Sequence, residues 1–166
     1  KKVLLMGVGG GFDIVSCLPL YHTLRMKGLD LELANYSLVE FDLFPTLADP
    51  IRMNDELYGA YGPVKGAVEH YPEGHLSAWF KQGFQEDVTV WMFRRQTVVQ
   101  LVKNLKLLIQ NLDIGMVVLC GAGASSIMTG EEEGCGEMLF PSIVLAAIKQ
   151  LDVKSVLFTL GVNTGG

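Results

Sequence analysis

Three successive glycines in Gly7-Val8-Gly9-Gly10-Gly11-Phe12-Asp13 can turn consecutive backbone N–H groups toward one point, an anion-accepting nest beside a helix start. Gly9, Gly10, Gly11 and Asp13 are therefore candidate ligand-binding residues. Asp13 works against a bound phosphate, because a carboxylate there caps the helix through N–H groups near Val15 or Ser16 and repels a second anion. Its alternative role is to accept a ligand hydroxyl or hold a cation that bridges to phosphate. The dinucleotide fingerprint is incomplete: Gly7 and Gly9 match, Phe12 takes the third glycine position, and the second strand ends in Asn35 rather than Asp or Glu.

A second glycine segment, Gly121-Ala122-Gly123-Ala124-Ser125-Ser126, follows another apolar run, and Gly121, Gly123, Ser125 and Ser126 could form a second nest or bond a ribose. Beyond it, Glu131 and Glu132, with Glu133 and Glu137, offer oxygen ligands for Mg²⁺, which takes one or two carboxylates and shares its shell with phosphate. A solvated acidic loop is the plainer reading of the same residues. Cys135 lies in acidic surroundings that raise a thiol pKa, and His70 and His75 have no third ligand in view. Arg94-Arg95 fall at a strand end, where they could pair with carboxylate or phosphate. Neither glycine loop reads G-x-S-x-G, so no nucleophile elbow is present.

These loops need a sheet to hold them. Lys2 to Gly7 is a short unbroken apolar run, as a strand covered on both faces requires, and Leu29 to Ala34 reads as the next strand. Between them the spacing predicts a helix over Asp13 to Lys27, bent where Pro19 removes an N–H. Residues 35 to 72 carry poor periodicity and many Pro and Gly residues, which predicts an irregular insertion or lid with one brief strand near Gly66 to Tyr71. Then follow a short helix over His75 to Gln82, a strand over Asp87 to Phe93, an amphipathic helix over Gln96 to Leu112, and a strand over Ile114 to Cys120. A helix over Met138 to Leu151 and a strand over Val153 to Leu160 complete the series. Strands alternating with helices imply an α/β fold: a Rossmann-like, doubly wound, mostly parallel sheet of five to six strands with helices on both faces. Both glycine loops then lie side by side at its carboxyl edge, where such sheets bind ligands.

The chain has 166 residues with 49% apolar and 19% charged, which fits a single α/β domain over 1–166 and excludes a disordered chain. A net charge of −5 with no Lys/Arg run points away from nucleic acid. Cys17, Cys120 and Cys135 form no metal-ligand spacing and read as reduced, giving a cytoplasmic expectation. No apolar run spans a bilayer and no signal-peptide pattern opens the chain, so no membrane partner is expected. The final strand feeds Gly161 to Gly166 with no following element, which predicts truncation at the C-terminus. A missing segment or a second copy would then cover Val156, Phe158 and Leu160.

The run from Lys2 to Leu20, with its strand, glycine cluster, Asp13-Ile14 and Leu18-Pro19-Leu20, resembles the opening of the DUF1152 family of Rossmann-like prokaryotic proteins. Ser126-Ile127-Met128-Thr129-Gly130-Glu131-Glu132-Glu133-Gly134 is similar to a second region of that family. Ser125 stands where the family pattern has Asp, and Phe140-Pro141 where it has acidic residues. The Gly-Ala-Gly-x-Ser turn is also similar to that of the NAD-dependent sirtuin deacylases, but their Gly-Ile-Pro-Asp-Phe-Arg continuation, His-Gly pair and CxxC zinc pairs are absent. The expectation is a protein that binds a nucleotide, with or without Mg²⁺, or another phosphorylated small molecule across both glycine loops. The alternative is a non-catalytic ligand-sensing or assembly protein with a degenerate site.

Overall fold

Strand residues alternate sides, so each apolar run builds two cores at once. In the computed structural model, which describes residues 1–9, 11, 13–40, 50–64, 70–129 and 138–161, the runs become one seven-stranded sheet. Its strands are β1 (Lys2–Gly7), β2 (Leu31–Tyr36), β3 (Ile51–Asn54), β4 (Leu57–Ala60), β5 (Val90–Phe93), β6 (Ile114–Ala122) and β7 (Lys154–Leu160). The order across the sheet is β3-β4-β5-β2-β1-β6-β7. From β5 to β7 every pair is parallel, while β3 and β4 form an antiparallel hairpin whose second strand runs antiparallel to β5. The sheet is therefore mixed, and larger than the five to six strands the sequence suggests.

The extra strands come from the stretch expected to be irregular. Short strands of four residues carry too little periodicity to announce themselves, and Gly59 looks like a breaker. It is needed there: a Cβ on Gly59 would lie 2.6 Å from Thr89 Cγ2 and 3.2 Å from the Trp91 ring. The brief strand expected near Gly66 to Tyr71 falls largely outside the described residues, and Tyr71 itself is not in a strand.

The helices are α1 (Asp13–Ser16), α2 (Leu18–Met26), α3 (Pro72–Phe84), α4 (Val98–Asn111) and α5 (Leu139–Ile148). The single bent helix expected over Asp13 to Lys27 is two, because the chain breaks at Cys17 and restarts with Pro19 in the first turn of α2. That placement costs nothing, since an N–H in the first turn has no partner within the helix. Helix α4 begins with a capping box in which the Thr97 hydroxyl accepts from Gln100 N–H while Thr97 N–H donates to Gln100 Oε1.

Leu4, Met6, Val8 and Val117 pack with Leu101, Leu105 and Leu108 of α4 and Val144 and Ala147 of α5. The alternate residues Leu5, Leu33 and Val118 pack with Ile14 and Cys17, with Tyr21 of α2 and with Leu76 and Phe80 of α3. Edge strand β7 is left open: Val156 and Leu160 are exposed and Phe158 is half-buried. No helix among the described residues is long and apolar enough to cross a membrane.

Candidate functional site

From β1 the chain crosses to one side to make β2, and β6 returns to the other side of β1, so the loops after β1 and β6 leave adjacent strands in divergent directions. In register, Gly7 lies level with Asn35 on β2 and Cys120 on β6. Val8 N–H donates to Cys120 O at 3.1 Å, the last link before the glycine loops begin.

Asp13 joins the two loops. Its Oδ2 accepts from Gly9 N–H in the first loop, and its Oδ1 accepts from Ala122 N–H in the second at 3.0 Å. The sequence suggests a helix cap bonded near Val15 or Ser16, and the structure corrects this: the carboxylate turns back to Gly9 and across to β6. Helix α1 is only four residues long, and its Asp13 carbonyl accepts instead from the Ser16 hydroxyl at 2.7 Å. A Cβ on Gly9 would collide with the Asp13 carboxylate, so the clasp requires glycine there. Burial pushes the Asp13 carboxyl above its usual range, opposed by the two N–H groups.

Beside the clasp lies a second polar group that sequence reasoning missed. Asn35, Ser37 and Glu73 are all fully buried. Asn35 Nδ2 donates to Glu73 Oε1 at 2.7 Å and reaches Gly11 O at 3.4 Å. Gly7 is obligatory beneath it, because a Cβ would overlap Asn35 Oδ1. Gly11 sits at φ 58°, a conformation that favours glycine, and a Cβ there would lie 3.7 Å from His70 Cε1. Burial raises the Glu73 carboxyl above its ordinary value; the Asn35 amide, the Ser37 hydroxyl and the His70 charge oppose this without closing a hydrogen bond on Oε2. Glu73 Oε2, Asn35 Oδ1 and Ser126 Oγ are buried with no hydrogen-bond partner among the described residues.

The signal for Glu73 was faint but present. A first-turn glutamate is ordinarily exposed, yet the next residue is Gly74, poor in a helix interior. Its missing Cβ leaves room for the Tyr71 ring against the first turn of α3, which marks that end of the helix as tightly packed.

No family model, curated protein or solved structure matches the chain.

Of the other candidates, Ser126 is buried with its Oγ against Gly121, where a Cβ would lie 2.6 Å away. Gly123, at φ 82°, donates its N–H to Leu160 O at 2.7 Å, so the second loop also touches the end of β7. Ser125 lies in the turn between them, half-buried. Gly10, Phe12, Glu131, Glu132, Glu133, Cys135, Glu137 and the glycines after Gly161 lie outside the described residues. Among the described residues no group of three His, Cys, Asp or Glu side chains is arranged to hold a metal. His70 approaches Gly11, whereas His75 is exposed on α3. Arg94 and Arg95 are exposed just past the carboxyl end of β5.

Neither of the two larger clefts is lined by Asp13, Asn35 or Glu73. One of about 410 Å³, lined by Tyr21, Arg25, Glu32, Glu86 and Thr89, opens at the amino ends of β2 and β5. The other, about 390 Å³, is an apolar groove between Val15 and Leu18 on one side and Tyr71, Pro72 and Trp79 on the other.

Proposed function

We propose that this chain is a Rossmann-like, doubly wound α/β protein of the DUF1152 type that binds a nucleotide or other phosphorylated small molecule over the glycine loops at the carboxyl edge of its sheet. The observation that carries the reading is Asp13, which ties the Gly9 loop to the Ala122 loop where the strand order reverses. Support for the doubly wound reading comes from the two sets of core residues, one with α4 and α5 and the other with α1, α2 and α3.

Gly9 and Ala122 N–H are already spent on Asp13, so the phosphate is held by other donors of the loops or by Arg95 at the same edge. That occupation also favours a second reading, a ligand-sensing or assembly protein in which the glycines serve a structural clasp. Exposed Val156 and Leu160 support self-association through β7, which light scattering measures.

Thermal shift against nucleotides and sugar phosphates, with and without Mg²⁺, tests the ligand reading. A bound compound raises the midpoint by an amount that grows with the logarithm of its concentration over Kd. No shift from any member at millimolar concentration contradicts it.

A further inference from the structure

We infer that Glu73 supplies, from α3, the acidic hydroxyl-recognising group that the end of β2 lacks, so that the site takes a ligand carrying a ribose or similar sugar beside its phosphate. The inference rests on the ligand reading above and names the part of the ligand that is recognised.

Position is the first argument. In dinucleotide-binding sheets of this topology an acidic side chain at the end of the second strand bonds a ribose hydroxyl. Here that place holds Asn35, level with Gly7, and its amide grips the Glu73 carboxyl at 2.7 Å while reaching the Gly11 carbonyl of the glycine loop. The carboxyl is thus brought to the edge by an amide that takes up only one of its oxygens.

The second argument is the carboxyl oxygen that the Asn35 amide leaves over. Glutamine has the same shape and would still accept the Asn35 bond through its own Oε1. The other oxygen, Oε2, is buried without a partner among the described residues, as is Ser126 Oγ beside the second loop. Buried polar atoms without partners are rare, and each costs stability unless something outside the fold satisfies it. A sugar hydroxyl donating to Oε2 supplies that bond. Because the carboxyl is fully covered, binding displaces part of the chain above it.

Calorimetry with AMP, 2′-deoxy-AMP and 3′-deoxy-AMP decides the matter, with ribose 5-phosphate and 2-deoxyribose 5-phosphate as base-free probes. In the wild type, loss of the recognised hydroxyl weakens binding by about tenfold, the scale of one hydrogen bond. In Glu73→Met, whose side chain offers the hydroxyl no comparable partner, the intact and deoxy compounds bind within about twofold of each other. Equal binding of all the compounds by the wild type overturns the hydroxyl subsite while leaving the ligand reading intact, and this comparison needs no variant. Discrimination that survives in Glu73→Met places the recognition elsewhere and overturns the assignment of Glu73. No binding of any probe by the wild type overturns the ligand reading and this inference together.

Discussion

Two buried asparagines, one on the sheet and one on a helix packed against it, each meet a glutamate, and the two arrangements differ in what they leave over. Asn104, on α4, donates to Glu56 Oε2 at 3.1 Å and to Gln96 Oε1 at 2.7 Å, and its own oxygen accepts from Asn54 at 2.8 Å. Glu56 also accepts from Gln100 through Oε1, and its N–H is taken by Asn54 Oδ1. The network closes, and its effect is to fix the β3-β4 hairpin on α4. Asn35 and Glu73, by contrast, share one bond and leave an oxygen each without a partner. A closed polar network holds a fold together, whereas an open one costs stability that a ligand can restore.

Replacements at the two networks, and at the clasp beside the open one, should therefore behave in opposite ways. The largest effect is expected at Asp13. Asp13→Ala strands the Gly9 and Ala122 N–H groups and should cost about 2–4 kcal/mol in urea denaturation, the sum of two lost bonds to a charged acceptor less the burial it relieves. A loss near 0.5 kcal/mol would restore the simple capping role, for which about 0.5–2 kcal/mol is usual. Asn104→Ala breaks three bonds at once and should cost about 2–3 kcal/mol. A change within error would show that the closed network is not what fixes the hairpin.

Glu73→Gln should go the other way and stabilise the ligand-free protein. Burial raises the Glu73 carboxyl above its ordinary 4.5, so the folded state holds its proton more tightly than the unfolded chain does. The wild type is thus at its best, relative to the variant, below pH 4.5 and loses ground as pH rises through the folded value. Melting both proteins between pH 4 and 8 should show the advantage of the variant growing with pH. An advantage that shrinks with pH would mean a stabilised carboxylate. The smallest effects come from two serines. Ser77 Oγ donates to Val88 O at 2.7 Å, and Ser77→Ala should cost about 1 kcal/mol. Ser126→Ala, which removes an oxygen without a partner, should be neutral within about 0.5 kcal/mol.

Part of the parallel core could be read from the sequence because two of its strands, Lys2 to Gly7 and Ile114 to Cys120, are mostly apolar runs that lead into glycine loops. The β3-β4 hairpin could not, since two strands of four residues carry too short a pattern and their stability comes from Asn104 and Glu56, distant in sequence. At the site, the glycine loops were legible and their partners were not. Asp13 looked like a cap because local chemistry favours one, and only the approach of β6 brings Ala122 to it. Glu73 falls before the helix expected over His75 to Gln82, and its burial depends on Asn35, 38 residues earlier in the chain.

The central claim is that both glycine loops and the Asn35–Glu73 pair form one ligand site. Amide chemical-shift mapping of the ¹⁵N-labelled protein with AMP tests it most directly. The account predicts that perturbations concentrate at Gly9, Gly11, Asp13, Ala122, Asn35 and Glu73. Perturbations confined to Tyr21, Arg25, Glu32 and Glu86, around the cleft at the opposite edge of the sheet, would contradict it.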